Sequence, residues 1–125
     1  TSRIFGNRWT AILWTTMIFV LLVIPGRSLP EEGVLGQWHL DKLVHAALFG
    51  GFTFLWFEVY RQAKPRSSSQ LFKAAILLFL AGAIYGTGME FYQKYFTSRE
   101  FETGDIIADS TGAAIAAIWC MKAKK

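Results

Sequence analysis

The chain has 125 residues, of which 53% are hydrophobic and only 18% are charged. Average soluble domains are about 45–50% apolar and about 25% charged, so this composition favours a membrane protein. Thirteen Lys and Arg residues against nine Asp and Glu residues give a net charge of +4. The single cysteine excludes a disulfide framework, and the length leaves room for one domain without a separate soluble enzyme domain.

Four apolar segments follow one another along the chain, at about residues 5–24, 41–60, 71–96 and 105–121. A membrane-spanning helix needs about 20 residues, with a range of about 17–25. Four such segments leave too little polar surface for a soluble protein, because each of them is apolar on all sides. The sequence therefore predicts an all-α fold, with residues 1–125 forming a single domain that is a bundle of four transmembrane helices.

The orientation of these helices is predicted from the basic residues, which favour the cytoplasmic side of a membrane. Nine of them lie at the two termini or between the second and third helices: Arg3, Arg8, Arg61, Lys64, Arg66, Lys73, Lys122, Lys124 and Lys125. The opposite side has four: Arg27, Lys42, Lys94 and Arg99. We therefore expect a multi-pass protein with both termini in the cytoplasm. This topology and the attraction of basic residues to anionic lipids account for the positive charge, so no nucleic-acid partner is predicted.

Eight of the nine carboxylates fall on the non-cytoplasmic side of this topology, and Glu58 is the exception. The second helix begins with Asp41 and carries His45 one turn later, on the same face. Asp41 can cap the helix and orient the imidazole of His45. The alternative is a simple cap followed by a histidine that is hydrated at the membrane interface.

The third helix carries Gly82, Gly86, Glu90 and Gln93 within one narrow stripe. The two glycines allow another helix to approach closely. A carboxylate in the membrane costs about 2.5–3.5 kcal/mol at the helix centre and less towards the ends, so Glu90 is a candidate functional residue. The alternative is a structural ion pair that holds the third helix to the fourth.

Asp105 and Asp109 lie one turn apart at the start of the fourth helix, and Gly112 continues the same surface. Asp105 also interacts favourably with the helix dipole. Arg99 precedes them and can donate two hydrogen bonds to a carboxylate or to a phosphate. The alternative is that Arg99 only neutralises the acidic residues around it.

The spacing of these residues resembles the VanZ-like family over nearly the whole chain. The resemblance rests on four short motifs: Asp41-Lys42-x-x-His45, Glu90-x-x-Gln93, Arg99-x-Phe101-Glu102-x-x-Asp105 and Asp105-x-x-x-Asp109-x-x-Gly112. The family usually carries Asn at the position of Asp109. The resemblance implies a small multi-helix protein of the bacterial inner (cytoplasmic) membrane. The family is named for a member linked to resistance to teicoplanin, a glycopeptide antibiotic that acts on cell-wall precursors.

The first functional hypothesis is a protein that binds a membrane lipid or a lipid-linked cell-wall precursor in the outer half of the membrane. In this hypothesis Lys42, His45 and Arg99 bind a phosphate or pyrophosphate head group. The remaining ligand-binding candidates orient these cations or contact polar groups of the ligand: Glu90, Gln93, Asp105 and Asp109. No cofactor is predicted and no residue is assigned as a metal ligand.

Three alternatives stay open. The chain could be an accessory or structural subunit of a complex with a membrane partner protein. It could transport lipid as a homo-oligomer, since four helices enclose little volume. It could also be a metal-dependent membrane enzyme, with His45 or Glu90 as general base and Asp105 or Asp109 holding the metal. The familiar catalytic motifs H-E-x-x-H and G-x-S-x-G are missing from the sequence, so an enzyme is the last of these hypotheses.

Overall fold

The computed structural model describes residues 6–23, 36–96 and 103–123, with side chains for residues 6–22, 42–96 and 103–122. Within these ranges the chain forms four α-helices and no strand. The helices are α1 (Arg8–Val23), α2 (Gly36–Ala63), α3 (Ser68–Phe96) and α4 (Thr103–Ala123). The predicted all-α class is therefore confirmed for the described part of the chain.

Polar side chains determine where two of the helices begin. The side chain of Asn7 accepts a hydrogen bond from the backbone N–H of Trp9 at 2.7 Å, which caps α1. At the start of α3 the hydroxyl of Ser67 accepts the N–H of Gln70 at 3.1 Å, while the Gln70 side chain accepts the N–H of Ser67 at 2.9 Å. This reciprocal capping box starts α3 at Ser68, three residues earlier than the apolar pattern predicts.

Helix α2 is longer than predicted at both ends, since residues 36–63 are helical instead of 41–60. No proline or glycine separates Gly36 from the predicted start, so nothing interrupts the helix there. The other end is set by Pro65, because the residue before a proline disfavours the helical conformation. After this turn the guanidinium of Arg66 donates to the backbone carbonyl of Tyr60 at 3.1 Å and covers its ring.

Helix α4 packs mainly on α2 and α3, and small residues bring these helices close together. A Cβ atom built on Gly112 would collide with the backbone of Ala46 on α2. On α3, a Cβ on Gly82 would lie 3.3 Å from the Cβ of Ala113. The α2–α4 and α3–α4 contacts therefore depend on positions without bulky side chains.

Helix α1 packs beside α2 through an aromatic side chain. The indole Nε1 of Trp14 donates to the backbone carbonyl of Leu48 at 2.8 Å. Its ring lies over Gly51, where a Cβ would come within 2.7 Å of the indole. Trp14 is thus a packing residue between α1 and α2.

The described surface is strongly apolar, whereas several polar side chains are buried. Ile84 is 72% exposed and Leu13 is 70% exposed, although both are large aliphatic residues. A water-soluble domain rarely exposes a continuous apolar surface, whereas a surface that faces lipid does. By length and composition, α2 and α3 are apolar enough to cross a membrane. The described chain therefore has the character of a membrane protein, with most of its buried polar residues towards one end of the bundle.

Candidate functional site

One end of the bundle brings polar side chains from three helices together. The first turns of α2 and α4 meet the last turns of α3 there, because the chain reverses direction between successive helices. Five of the predicted site residues come together at this end, and we call them the polar cluster: Lys42, His45, Glu90, Asp105 and Asp109. Four of the five are buried, and Lys42 is partly exposed.

His45 is fully buried and is oriented by a residue that lies 64 positions away in the chain. Its Nδ1 lies 2.7 Å from Oδ1 of Asp109. An ionised Asp109 carboxylate can only accept a hydrogen bond, so Nδ1 is the donor to such a carboxylate, and Nε2 carries a lone pair whenever the ring is neutral. This Nε2 lies 3.6 Å from Oδ2 of Asp105. The contact with Asp109 thus turns the second nitrogen of the ring towards another carboxylate.

Asp105 connects all three helices of the polar cluster. Its Oδ1 accepts a hydrogen bond from the Lys42 ammonium group at 2.6 Å, which pairs α4 with α2. One of its carboxylate oxygens also lies within 4.8 Å of one from Glu90 on α3. Two ionised carboxyl groups this close repel each other unless a proton or a cation lies between them. The environment of Asp105 is therefore suited to holding positive charge.

Glycines make room for the side chains of the polar cluster. A Cβ on Gly86 would collide with the carboxylate of Asp109 and would lie 2.9 Å from its Cβ. A Cβ on Gly104 would lie 2.8 Å from Cε of Lys42. The stripe predicted on α3 is accordingly buried along its whole length, from Gly82 through Gly86 to Glu90 and Gln93.

Gln93 contacts a different helix from the other predicted site residues. Its amide nitrogen donates to the backbone carbonyl of Leu22 at 2.6 Å, in the last turn of α1. Carbonyl groups in the last turn of a helix have no partner within that helix, so the amide satisfies one of them. Gln93 therefore joins the end of α1 to the helix that carries Glu90.

Two residues of the sequence-based hypothesis cannot be placed in this arrangement. Arg99, the third cation proposed for a phosphate, lies outside the described residues. The side chain of Asp41, which was expected to orient His45, is also outside the described part, and Asp109 fills that role in the structure. The contribution of Asp109 had no local sequence signal, because its partner lies on a helix that is distant in the chain.

An apolar groove of about 430 Å³ lies between α2 and α4 and is open on one side. It begins one residue after His45 on α2 and three residues after Asp109 on α4. Most of its lining residues are small: Ala46, Ala47, Gly50, Gly51, Gly112, Ile115, Ala116 and Trp119. Such a groove can accept a hydrocarbon chain.

The described helices, with their apolar exposed surface and buried polar cluster, define the chain as a helical membrane protein. The family model VanZ/LLP1 matches residues 3–124, and the chain belongs to this family. A relative with the name "Uncharacterized protein C11E3.10", from Schizosaccharomyces pombe, is 27% identical over 99 residues. That alignment covers 79% of this chain but only 57% of the relative, and it extends the similarity to a eukaryote. No solved structure matches the chain.

Proposed function

We propose that this chain is a membrane protein that binds a phosphate-bearing lipid, such as a lipid-linked envelope precursor. The head group would lie at the polar cluster and the hydrocarbon chain in the groove between α2 and α4. The observation that carries the proposal is the proximity of the two, since the groove begins within one helical turn of His45 and Asp109. Ionisable residues inside a membrane are costly and are found mainly at functional sites, which supports a binding role for this cluster.

The charges of the polar cluster restrict how a phosphate could bind there. Lys42 contacts Asp105, and His45 contacts Asp109, so both basic side chains already face carboxylates. A phosphate would therefore have to displace one of these carboxylates or bind through an additional cation. Arg99 is one such cation in the sequence, since its guanidinium can form paired hydrogen bonds with phosphate oxygens.

The topology that we propose has four membrane spans and both termini in the cytoplasm. The unequal distribution of Lys and Arg supports this orientation. The exposed aliphatic residues of α1, α3 and α4 support contact with lipid on several helices. In a bacterium this arrangement would position the polar cluster in the outer half of the inner membrane, where lipid-linked cell-wall precursors are used.

Native mass spectrometry of the detergent-purified protein tests the binding proposal, with phosphatidic acid, phosphatidylcholine and a polyprenyl phosphate as added probes. We expect the wild-type chain to retain the probes with an exposed phosphate monoester, and Arg99→Ala to lose them, because this variant lacks the additional cation. Arg61→Ala is the matched control, because Arg61 contacts Glu58, outside the polar cluster. Equal retention of the probes by the wild type and Arg99→Ala would contradict the proposal.

The groove needs a separate test. Ala47 is exposed and lines the groove, so Ala47→Phe fills it without disturbing the helix contacts. We expect this variant to lose the polyprenyl phosphate while its thermal stability stays that of the wild type. Unchanged retention of the probe would place the hydrocarbon chain elsewhere.

The second candidate function is a structural or accessory role within a membrane complex. The specific observation in its favour is that Lys42–Asp105 and His45–Asp109 join α2 to α4 at 2.6 Å and 2.7 Å. This role predicts that substitutions in the cluster unfold the protein and that no lipid probe is retained.

Deleting the gene in a bacterial host and measuring teicoplanin susceptibility would show whether the resistance that gave the family its name extends to this chain.

A further inference from the structure

We infer that the polar cluster is a binding site for one divalent transition-metal ion, with His45, Glu90 and Asp105 as its ligands. Each of the three offers one ligand atom, and these atoms all lie within 4.8 Å of one another. All three residues are buried, and they come from α2, α3 and α4. An ion at their centre would therefore bind three helices at once.

The distance between two of the candidate ligand atoms is that of neighbouring ligands in a metal site. Nitrogen and oxygen ligands lie about 2.0–2.2 Å from a zinc ion, so tetrahedral ligands are about 3.3–3.6 Å apart. The distance from His45 Nε2 to Asp105 Oδ2 is 3.6 Å. This separation is longer than a hydrogen bond. With a neutral ring, it places the lone pair of Nε2 beside a carboxylate oxygen, an arrangement that a cation between the two atoms would stabilise.

The orientation of the imidazole points to the same chemistry. A histidine that binds a metal commonly donates its other ring N–H to a carboxylate, which fixes the tautomer and makes the metal-binding nitrogen more basic. Here His45 Nδ1 contacts Asp109 Oδ1 at 2.7 Å, and Nε2 is directed towards Asp105. Asp109 is thus a positioning residue and does not itself have to bind the ion.

The donor set indicates the class of ion. Imidazole suits Zn²⁺ and other late transition metals, whereas carboxylates suit harder ions such as Mn²⁺, so one imidazole and two carboxylates favour Mn²⁺ or Zn²⁺. Three protein ligands also leave a coordination position open for an external oxygen atom. If this position receives a phosphate oxygen, the ion supplies the positive charge that a head group needs. That last step rests on the proposed function, but the metal site itself does not.

A titration with Mn²⁺ and Zn²⁺ tests the site on the detergent-purified, metal-stripped full chain without added lipid. We expect one Mn²⁺ per chain, with a pulsed-EPR coupling to an imidazole ¹⁴N that His45→Gln abolishes. Glu90→Gln and Asp105→Asn should weaken binding by at least the factor of about 10–100 that is typical for the loss of an outer-shell partner. Glu58→Gln is the control and should bind as the wild type does, because Glu58 is also buried but contacts Arg61 and Gln62, outside the polar cluster.

Asp109→Asn is the variant that separates positioning from binding. Asn can still accept the Nδ1–H of His45, so this variant should keep the ¹⁴N coupling while its affinity falls. Circular dichroism verifies that each variant is folded. A folded wild-type chain that binds neither ion at millimolar concentration would overturn the inference, as would an unchanged coupling in His45→Gln. Metal binding without retention of a lipid probe would support the metal site and reject the proposed lipid function. Retention of a lipid probe without metal binding would reject the metal site and leave the lipid function standing.

Discussion

Substitution of Lys42 is the most direct way to measure how much the polar cluster stabilises the fold. Its ammonium group donates to Asp105 at 2.6 Å, and the Asp105 side chain is only 3% exposed. Removing one member of a buried pair leaves the other charge without its partner, which commonly costs about 3–5 kcal/mol. The pair joins α2 to α4, and the hydrogen-bonded contact His45–Asp109 between the same helices uses a different carboxylate, so it leaves the charge of Asp105 uncompensated.

We therefore expect Lys42→Met to lower the free energy of unfolding by about 3 kcal/mol in bicelles. The double variant with Asp105→Asn should recover a large part of this loss, because no buried charge then lacks its partner. Lys73→Met is the control, since Lys73 is exposed on α3. A loss in Lys42→Met below about 0.5 kcal/mol, the size of an ordinary surface effect, would show that the pair has no structural importance.

At the scale of the helices, α3 and α4 fit together because Gly86 leaves space for Asp109. Gly88 lies two residues further along the same helix, and a Cβ atom there would meet nothing within 4 Å. The two glycines thus have the same helical backbone but opposite surroundings. Alanine favours a helix over glycine by about 0.8–1.0 kcal/mol, so only the surroundings distinguish the two substitutions.

Gly86→Ala should displace the Asp109 carboxylate, break its contact with His45 and destabilise the protein by about 1–3 kcal/mol, as overpacking usually does. Gly88→Ala should be neutral or slightly stabilising, because alanine favours the helical conformation more than glycine does. Thermal unfolding followed by circular dichroism compares the two. Equal melting temperatures would mean that α3 and α4 are not in the close contact described above.

At the scale of the whole molecule, the position of the polar cluster relative to the membrane depends on the topology. The segment between α2 and α3 should be cytoplasmic, and the one between α3 and α4 should lie on the other side. Cys120 is buried and is the only cysteine in the sequence. Its replacement therefore leaves an introduced cysteine as the only thiol that a labelling reagent can modify.

In a Cys120→Ala background, we expect a membrane-impermeant maleimide to label Glu100→Cys in intact cells. Lys64→Cys should react only after the cells are permeabilised, because the positive-inside rule assigns it to the cytoplasm. Labelling of Lys64→Cys in intact cells would reverse the orientation and put the polar cluster near the cytoplasmic surface.

How much of the fold and of the polar cluster could be predicted from the sequence depended on how far apart the contacting residues lie in the chain. The buried stripe on α3 followed from the periodicity of Gly82, Gly86 and Glu90, because helical neighbours are encoded locally. The His45–Asp109 contact did not, because 64 residues separate the two and the helical spacing pointed to Asp41. The start of α3 differs from the prediction for a third reason, since Ser67 and Gln70 form a capping box that lies before the apolar segment used to predict the helix.

The separation of His45 and Asp109 along the chain also sets a delay in the biogenesis of the protein. At about 5–20 residues per second, a ribosome needs about 3–13 s to add the 64 residues between them. During that interval α2 has emerged with a polar face for which no partner has yet been synthesised. An imidazole that is buried in the finished protein has to be accommodated by water or by the insertion machinery until α4 arrives. The late arrival of α4 therefore makes it the helix that completes the interior of the described bundle.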